Sequence, residues 1–380
     1  MSVLQKITEL VKYNTVSRDS NLPLIDHVSS YLDDLGVSSY RVESEDGKKS
    51  NLYASVGPEE TGGVVLSGHT DVVPTDGQDW QTDPFDPEVK DGKVFGRGTC
   101  DMKGFIGTAL ALVPEMRSLE KPIHFALSYD EEVGCKGAPS MIKEISHRLP
   151  SPEAVIVGEP TQMKAITGHK GMVTLSTSVY GYEAHSSQTH RGVSAVMTAA
   201  KLVEKLNSMA ADLAENTAAE TGFEPHHSTI HVGVIRGGTA INIISRHCEF
   251  LWDIRSIPND HPQTIIDEFE QYCRDEILPN MVQISDQCSV ATEGTASAPA
   301  FLMTESPALA FLSSLGIAAA EHHAPYVAEA GQFQAADFPT VICGPGSIDQ
   351  AHKPNEFIEL DQIDQGEAFL RRLIKRLSHG

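Results

Sequence analysis

A layered α/β sheet, interrupted by a smaller α+β unit, is the architecture this sequence predicts, and three observations predict it. Short apolar runs alternate with helical stretches from Ile7 to about Ala165, which is the rhythm of strands covered by helices. From about residue 170 the rhythm changes, and six segments follow in the order β-α-β-β-α-β, the ferredoxin-like split unit. Residues of metal-binding type, namely His69, Asp101, Glu131, Glu132 and Glu159, precede that unit, and His352 follows it. Residues 1–169 and 289–380 are therefore expected to form one domain, with 170–288 inserted as a second. Two domains are also the natural division of 380 residues.

Taken in order, Ile7, Leu10 and Val11 stand at helical spacing near the N-terminus. Val64 to Leu66 reads as a strand running into Ser67-Gly68-His69-Thr70-Asp71. Val94-Phe95 enters the glycine-rich loop Gly96-Arg97-Gly98-Thr99-Cys100, then Asp101, and an apolar helical pattern spans Met102 to Met116. Ile123 to Leu127 reads as a buried strand ending in Ser128-Tyr129-Asp130-Glu131-Glu132. Ala154 to Val157 runs into Gly158-Glu159-Pro160, and Thr340 to Cys343 into Gly344-Pro345-Gly346-Ser347, with His352 shortly after. Ligands of open α/β sheets collect beyond the carboxyl ends of the strands, so these residues are expected in one crevice.

Within the inserted unit, Met172 to Val179 alternates, with Val173, Leu175, Thr177 and Val179 on one face. Val193 to Ala214 carries helical spacing, and Ser228 to Ile235 and Cys248 to Ile254 read as strands. Pro262 to Leu278 reads as a helix opened by proline, and Val282 to Val290 as the final strand.

Three consecutive acids at 130–132 raise one another's pKa and repel if all ionise, and a divalent cation relieves both effects. Taken alone, the run also fits a solvated acidic turn. The net charge of −23 argues against nucleic acid and anionic membranes as partners. No apolar run approaches the roughly 18 residues of a membrane helix. The first residues lack the layout of a signal peptide, so a cytoplasmic protein is expected. Six scattered cysteines without a C-x-x-C pair indicate buried free thiols rather than disulfides or a zinc knot.

His69-x-Asp71-x-x-Pro74, the run from Gly96 to Gly104, Asp130-Glu131-Glu132-x-Gly134, Gly158-Glu159-Pro160 and His352 occur together and in order. The set resembles the dinuclear zinc aminoacylase and carboxypeptidase metallohydrolase family, and the resemblance covers nearly the whole chain. It implies a zinc-peptidase-like catalytic domain, a mixed sheet flanked by helices, with a ferredoxin-like dimerisation or lid domain inserted. By that resemblance His69 and Glu159 hold one zinc, Glu132 and His352 the other, and Asp101 bridges both. Imidazole and carboxylate ligands suit zinc, with cobalt and manganese as substitutes. Asp71 is expected to accept the second N–H of His69. Glu131 is expected to act as general base, carrying a proton from a metal-bridging water to the leaving amine.

The resemblance also implies that His185, in Gly181-Tyr182-Glu183-Ala184-His185-Ser186, reaches a neighbouring subunit's site and steadies the oxyanion, making the protein a homodimer. Asn242 and Arg255 resemble the family's contacts to a substrate carboxylate, which arginine grips with two parallel donors. A strand-to-loop salt bridge is the other reading of Arg255. Gly346 is expected to offer its backbone N–H to the same carboxylate, with a plain turn as the alternative. The segments around Glu329 and from Cys343 to Glu356 look most like the acetylornithine deacetylase branch. That branch implies a small acyl-amino-acid substrate, N2-acetyl-L-ornithine, deacetylated in arginine biosynthesis, with Glu329 facing the side-chain ammonium. Acetylcitrulline deacetylase, a broader aminoacylase and a catalytically silent metal-binding relative are the alternatives.

Overall fold

The computed structural model describes residues 2–218, 221–303 and 305–378. The chain begins with helices α1 (Val3–Val11) and α2 (Leu22–Asp34), then strands β1 (Ser39–Glu43), β2 (Ser50–Val56) and β3 (Val64–His69). A short β4 (Glu88–Lys90) and β5 (Lys93–Phe95) precede α3 (Lys103–Ala111), β6 (Ile123–Ser128), α4 (Ala138–Arg148) and β7 (Ala154–Val157). From His169 a second unit follows, built of β8 (Gly171–Tyr180), α5 (Ala195–Asn216), β9 (Thr229–Gly237), β10 (His247–Ser256), α6 (Pro262–Tyr272), α7 (Leu278–Val282) and β11 (Ser289–Ala298). The returning chain adds α8 (Pro307–Ser314), α9 (Ala330–Ala335), β12 (Thr340–Ile342), β13 (Phe357–Glu359) and α10 (Leu360–Leu377) to the first unit.

In the first unit six strands lie in the order β1-β2-β6-β3-β7-β12. The β1-β2 and β2-β6 pairs are antiparallel, whereas β6, β3, β7 and β12 run parallel. Both faces of the sheet are covered, which is why its strands read as continuous apolar runs. Leu66, Phe125 and Ile156 pack on one face with Phe105 and Ile106 of α3 and Phe369 of α10. Val65, Ala126 and Val155 face the other way, against Met141 and Ile145 of α4 and Phe333 of α9. Because the four strands are parallel, their carboxyl ends share one edge, and residues 69, 128–132, 158–159 and 343–352 follow from that edge. The register sets His69 opposite Ser128 and Ser67 opposite Val157.

Gly158 makes the end of β7 possible. A Cβ there would lie 2.1 Å from the Phe105 ring, so only glycine lets the strand leave the sheet so close to α3.

The second unit is an antiparallel sheet in the order β9-β10-β8-β11, with its helices in β-α-β-β-α-β sequence. Leu175 and Val179 of β8 and Phe250, Trp252 and Ile254 of β10 bury against residues of α5 and α6. Two sequence expectations change here. Val282, expected to open the last strand, instead ends α7, a helix begun by Leu278-Pro279. The last strand is β11, paired to β8 from Ser289 to Ala298, so the second unit extends to Ala300 rather than 288. Ala324–Val327 also belongs to it.

Candidate metal centre

The centre is assembled from the strand ends of the first unit. His69 closes β3 and is buried, with Nδ1 bonded to the backbone carbonyl of Asp71 at 2.9 Å. Its Nε2 faces Asp101 Oδ1 at 2.9 Å and Glu159 Oε1 at 3.9 Å. The other carboxylate oxygen of Asp101 lies 3.5 Å from His352 Nε2, and Glu132 Oε2 approaches the same nitrogen at 2.9 Å. Asp101 thus turns one oxygen to each histidine. His69, Asp101 and Glu132 each offer a ligand atom within 4.8 Å of the others.

Asp71 does not meet the expectation set for it. The imidazole N–H goes to its main-chain carbonyl, and its carboxylate is 3.8 Å from Nδ1. That carboxylate accepts the Ser17 hydroxyl at 2.7 Å and the backbone N–H groups of Glu131 and Glu132 at 3.1 and 3.3 Å. Asp71 therefore fixes the turn that carries the two glutamates. Asp130, at φ 56°, opens that turn and is paired with Lys49 at 2.5 Å. Glu131 Oε1 accepts from the Cys135 thiol at 3.3 Å.

Burial drives the carboxyl groups of Glu131 and Glu159 well above the usual range, and Glu132 upward as well, and neighbouring carboxylates add to the effect. Burial also opposes the ionisation of Asp101, yet hydrogen bonds to His352 and His69 hold it below that range. Hydrogen bonds to Asp101 and Glu132 carry His352 up to about 10. Carboxylates buried this closely without an equal number of cationic side chains form a set that fits divalent cations, since metal charge removes the repulsion.

Glu329, just before α9, is also buried in the first unit. Its Oε2 accepts the Ser67 hydroxyl at 3.3 Å, and Oε1 has no hydrogen-bond partner among the described residues. Gly346 departs from expectation, because its N–H donates to Gln362 Oε1 at 3.1 Å and is already engaged. Its φ of 91° and a Cβ position 2.6 Å from Cys100 Sγ account for the glycine. His185, Asn242 and Arg255 belong to the second unit. There the backbone of His185 pairs with that of Ile243, bringing the exposed His185 and Asn242 loops together, and Ser186 N–H donates to the Asn242 carbonyl at 3.0 Å. The Nε of Arg255 lies 3.3 Å from Asp253.

Sequence reasoning missed Glu356. Its Oε1 accepts the backbone N–H groups of Gly98, Cys100 and Asp101 at 3.1, 2.9 and 3.1 Å, and its Oε2 pairs with Arg97 at 2.7 Å. No local pattern marks such a residue, because its partners lie on a distant loop.

Residues 65–376 match the model of peptidase family M20/M25/M40. The chain belongs to this family. An acetylornithine deacetylase from Myxococcus xanthus is 32% identical to it over 386 residues, covering 98% of this chain and 97% of the relative. One from Pasteurella multocida is 31% identical over 388 residues, covering 100% and 99%. Among solved structures, an M20 family metallo-carboxypeptidase from Sulfolobus solfataricus superposes with a TM-score of 0.76 at 16% identity, covering 100% and 99%. With these relatives, and with the cluster of imidazole and carboxylate groups at its strand ends, the M20 chain is a metal-dependent amidohydrolase. No helix among its described residues is long and apolar enough to cross a membrane.

Proposed function

We propose that this chain deacetylates N2-acetyl-L-ornithine, releasing L-ornithine and acetate in arginine biosynthesis, with two zinc ions. The observation that carries the two-ion reading is Asp101, whose oxygens face His69 and His352 separately. His69 and Glu159 would hold one ion and Glu132 and His352 the other, with Asp101 between them. Cations bound there would polarise the amide carbonyl and lower the pKa of a water molecule.

Glu131 is the general base in this reading. It takes a proton from the water as that oxygen attacks the acyl carbon, and delivers it to the amine nitrogen as the C–N bond breaks. Asp71 and the Cys135 thiol keep it in place. The likeness to acetylornithine deacetylases supports the substrate, and Glu329, whose Oε1 lacks a partner, supplies a charge complementary to the ornithine ammonium. Arg255 and Asn242 would contact the substrate carboxylate, and His185 would donate to the oxyanion of a neighbouring subunit.

A homodimer is the assembly this requires. The edge strand β9 exposes Ile235, and α5 exposes Val196 and Met197, apolar surface that a second copy would cover. Six free, buried cysteines suit a reducing cytoplasm.

The test is to strip the protein with a chelator, restore zinc or cobalt, and compare four substrates: N2-acetyl-L-ornithine, N-acetyl-L-citrulline, N-acetyl-L-methionine and N-succinyl-diaminopimelate. Metal-dependent turnover highest on acetylornithine is expected. A higher rate on another substrate would overturn the assignment of substrate, and no turnover on any would overturn the enzymatic reading.

A further inference from the structure

His352 differs from the other residues of the cluster. His69, Asp101 and Glu159 are buried, whereas the His352 side chain is 57% exposed and its backbone has a φ of 64°. It lies on a loop between β12 and β13. Two groups of the 78–81 loop grip that segment: Gln78 Nε2 donates to the His352 carbonyl at 2.9 Å, and Gln81 N–H donates to Asn355 Oδ1 at 2.7 Å. The side-chain oxygen Oε1 of Gln78 is held in turn, accepting from Arg97 Nη2 at 2.6 Å and from Trp80 Nε1 at 3.0 Å. The other amino group of Arg97 pairs with Glu356, the carboxylate that gathers the backbone of Asp101.

We propose that Gln78 is the positioning residue of His352, tied through Arg97 and Glu356 to the loop of Asp101, so that one chain of hydrogen bonds sets His352 and the Asp101 loop together. This rests on the reading of His352 as a metal ligand. An exposed side chain on a left-handed loop residue loses orientation unless its backbone is held, and Gln78 holds it at the residue itself. Arg97 is almost wholly buried and fixes which end of the Gln78 amide points to His352. It is therefore the donor on Gln78, not its bulk, that positions His352.

Two variants separate these roles. Gln78→Ala removes the side chain, and Gln78→Glu keeps an acceptor for Arg97 and Trp80 while losing the donor to His352. Titrating cobalt into chelator-treated protein, read by calorimetry and by visible absorption, is expected to show two binding events in the wild type. In both variants one event should weaken about 10- to 100-fold, the range seen when a ligand's outer partner is lost, while the other event keeps its affinity and spectrum. His352→Ala, run alongside, should abolish that same event. If His352→Ala loses one event and the Gln78 variants keep both at wild-type affinity, the positioning role is overturned. Equal weakening of both events with a lowered melting temperature would overturn it too, showing general loosening. If His352→Ala itself retains two unchanged events, the reading of His352 as a ligand falls and the inference with it.

Discussion

Glu131 and Glu132 are neighbours in sequence with different partners, and the turn that carries them shows how. Both backbone N–H groups are anchored on Asp71, yet Glu132 reaches His352 while Glu131 accepts from the Cys135 thiol. Glu131→Gln preserves the size and the backbone anchor but cannot accept a proton. The variant is expected to bind metal as the wild type does and to lose about 10²- to 10⁴-fold in turnover. Metal content and rate measured on the same preparation check this, and a rate within a few-fold of wild type would remove Glu131 from the mechanism. The acids at 130–132 were legible because three carboxylates at a strand end are chemically conspicuous. Glu356 was not, since it is one acid before an ordinary strand and its partners lie 255 to 259 residues earlier. Asp71 was legible as a partner of His69, but which of its oxygens takes the imidazole proton depends on a turn that spacing does not describe.

Strands of the sheet carry chemistry at one end and ordinary burial at the other. His124 stands at the start of β6 opposite Ser55 of β2, with Nδ1 2.7 Å from the Ser55 hydroxyl and a buried Nε2 that has no partner among the described residues. Burial lowers its pKa from 6.5 to about 4. The folded state therefore favours neutral His124, and the unfolded chain binds the extra proton between those values. Its contribution is fully present above pH 6.5 and is lost as the pH falls toward 4, a change of about 3 kcal/mol at most. Urea unfolding of wild type and His124→Asn at pH 7 and pH 4.5 is expected to show a smaller loss on acidification in the variant. Equal losses would refute the assignment. Apolar strands such as Ala154–Val157 were legible because both of their faces are buried. Strand Ser289–Ala298 was not, because it is an edge strand of small and polar residues with mostly exposed or half-buried positions.

At the scale of the whole molecule, the division into two units was readable from where the metal-type residues fall, before and after a different rhythm. The boundary was misplaced because the returning strand lacks an apolar signature. If His185 completes a neighbouring subunit's site, an inactive His185→Ala protein and an inactive Glu131→Gln protein each hold the residue that the other lacks. Mixed under conditions that allow subunit exchange, they are expected to recover up to about a quarter of wild-type activity, from heterodimers in which one site is intact. No recovery after exchange is verified by mass would refute a shared site.

The first unit is built from both ends of the sequence, and this orders events on the ribosome. His69, Asp101, Glu132 and Glu159 emerge early, and the whole second unit is synthesised before β12, His352 and Glu356 appear. A nascent chain thus passes from residue 159 to residue 352 with an acidic cluster that lacks His352 and the carboxylate that organises the Asp101 loop. With the ligand set proposed above, metal capture would be a late step, because a chain interrupted before residue 352 lacks one of the five proposed ligands.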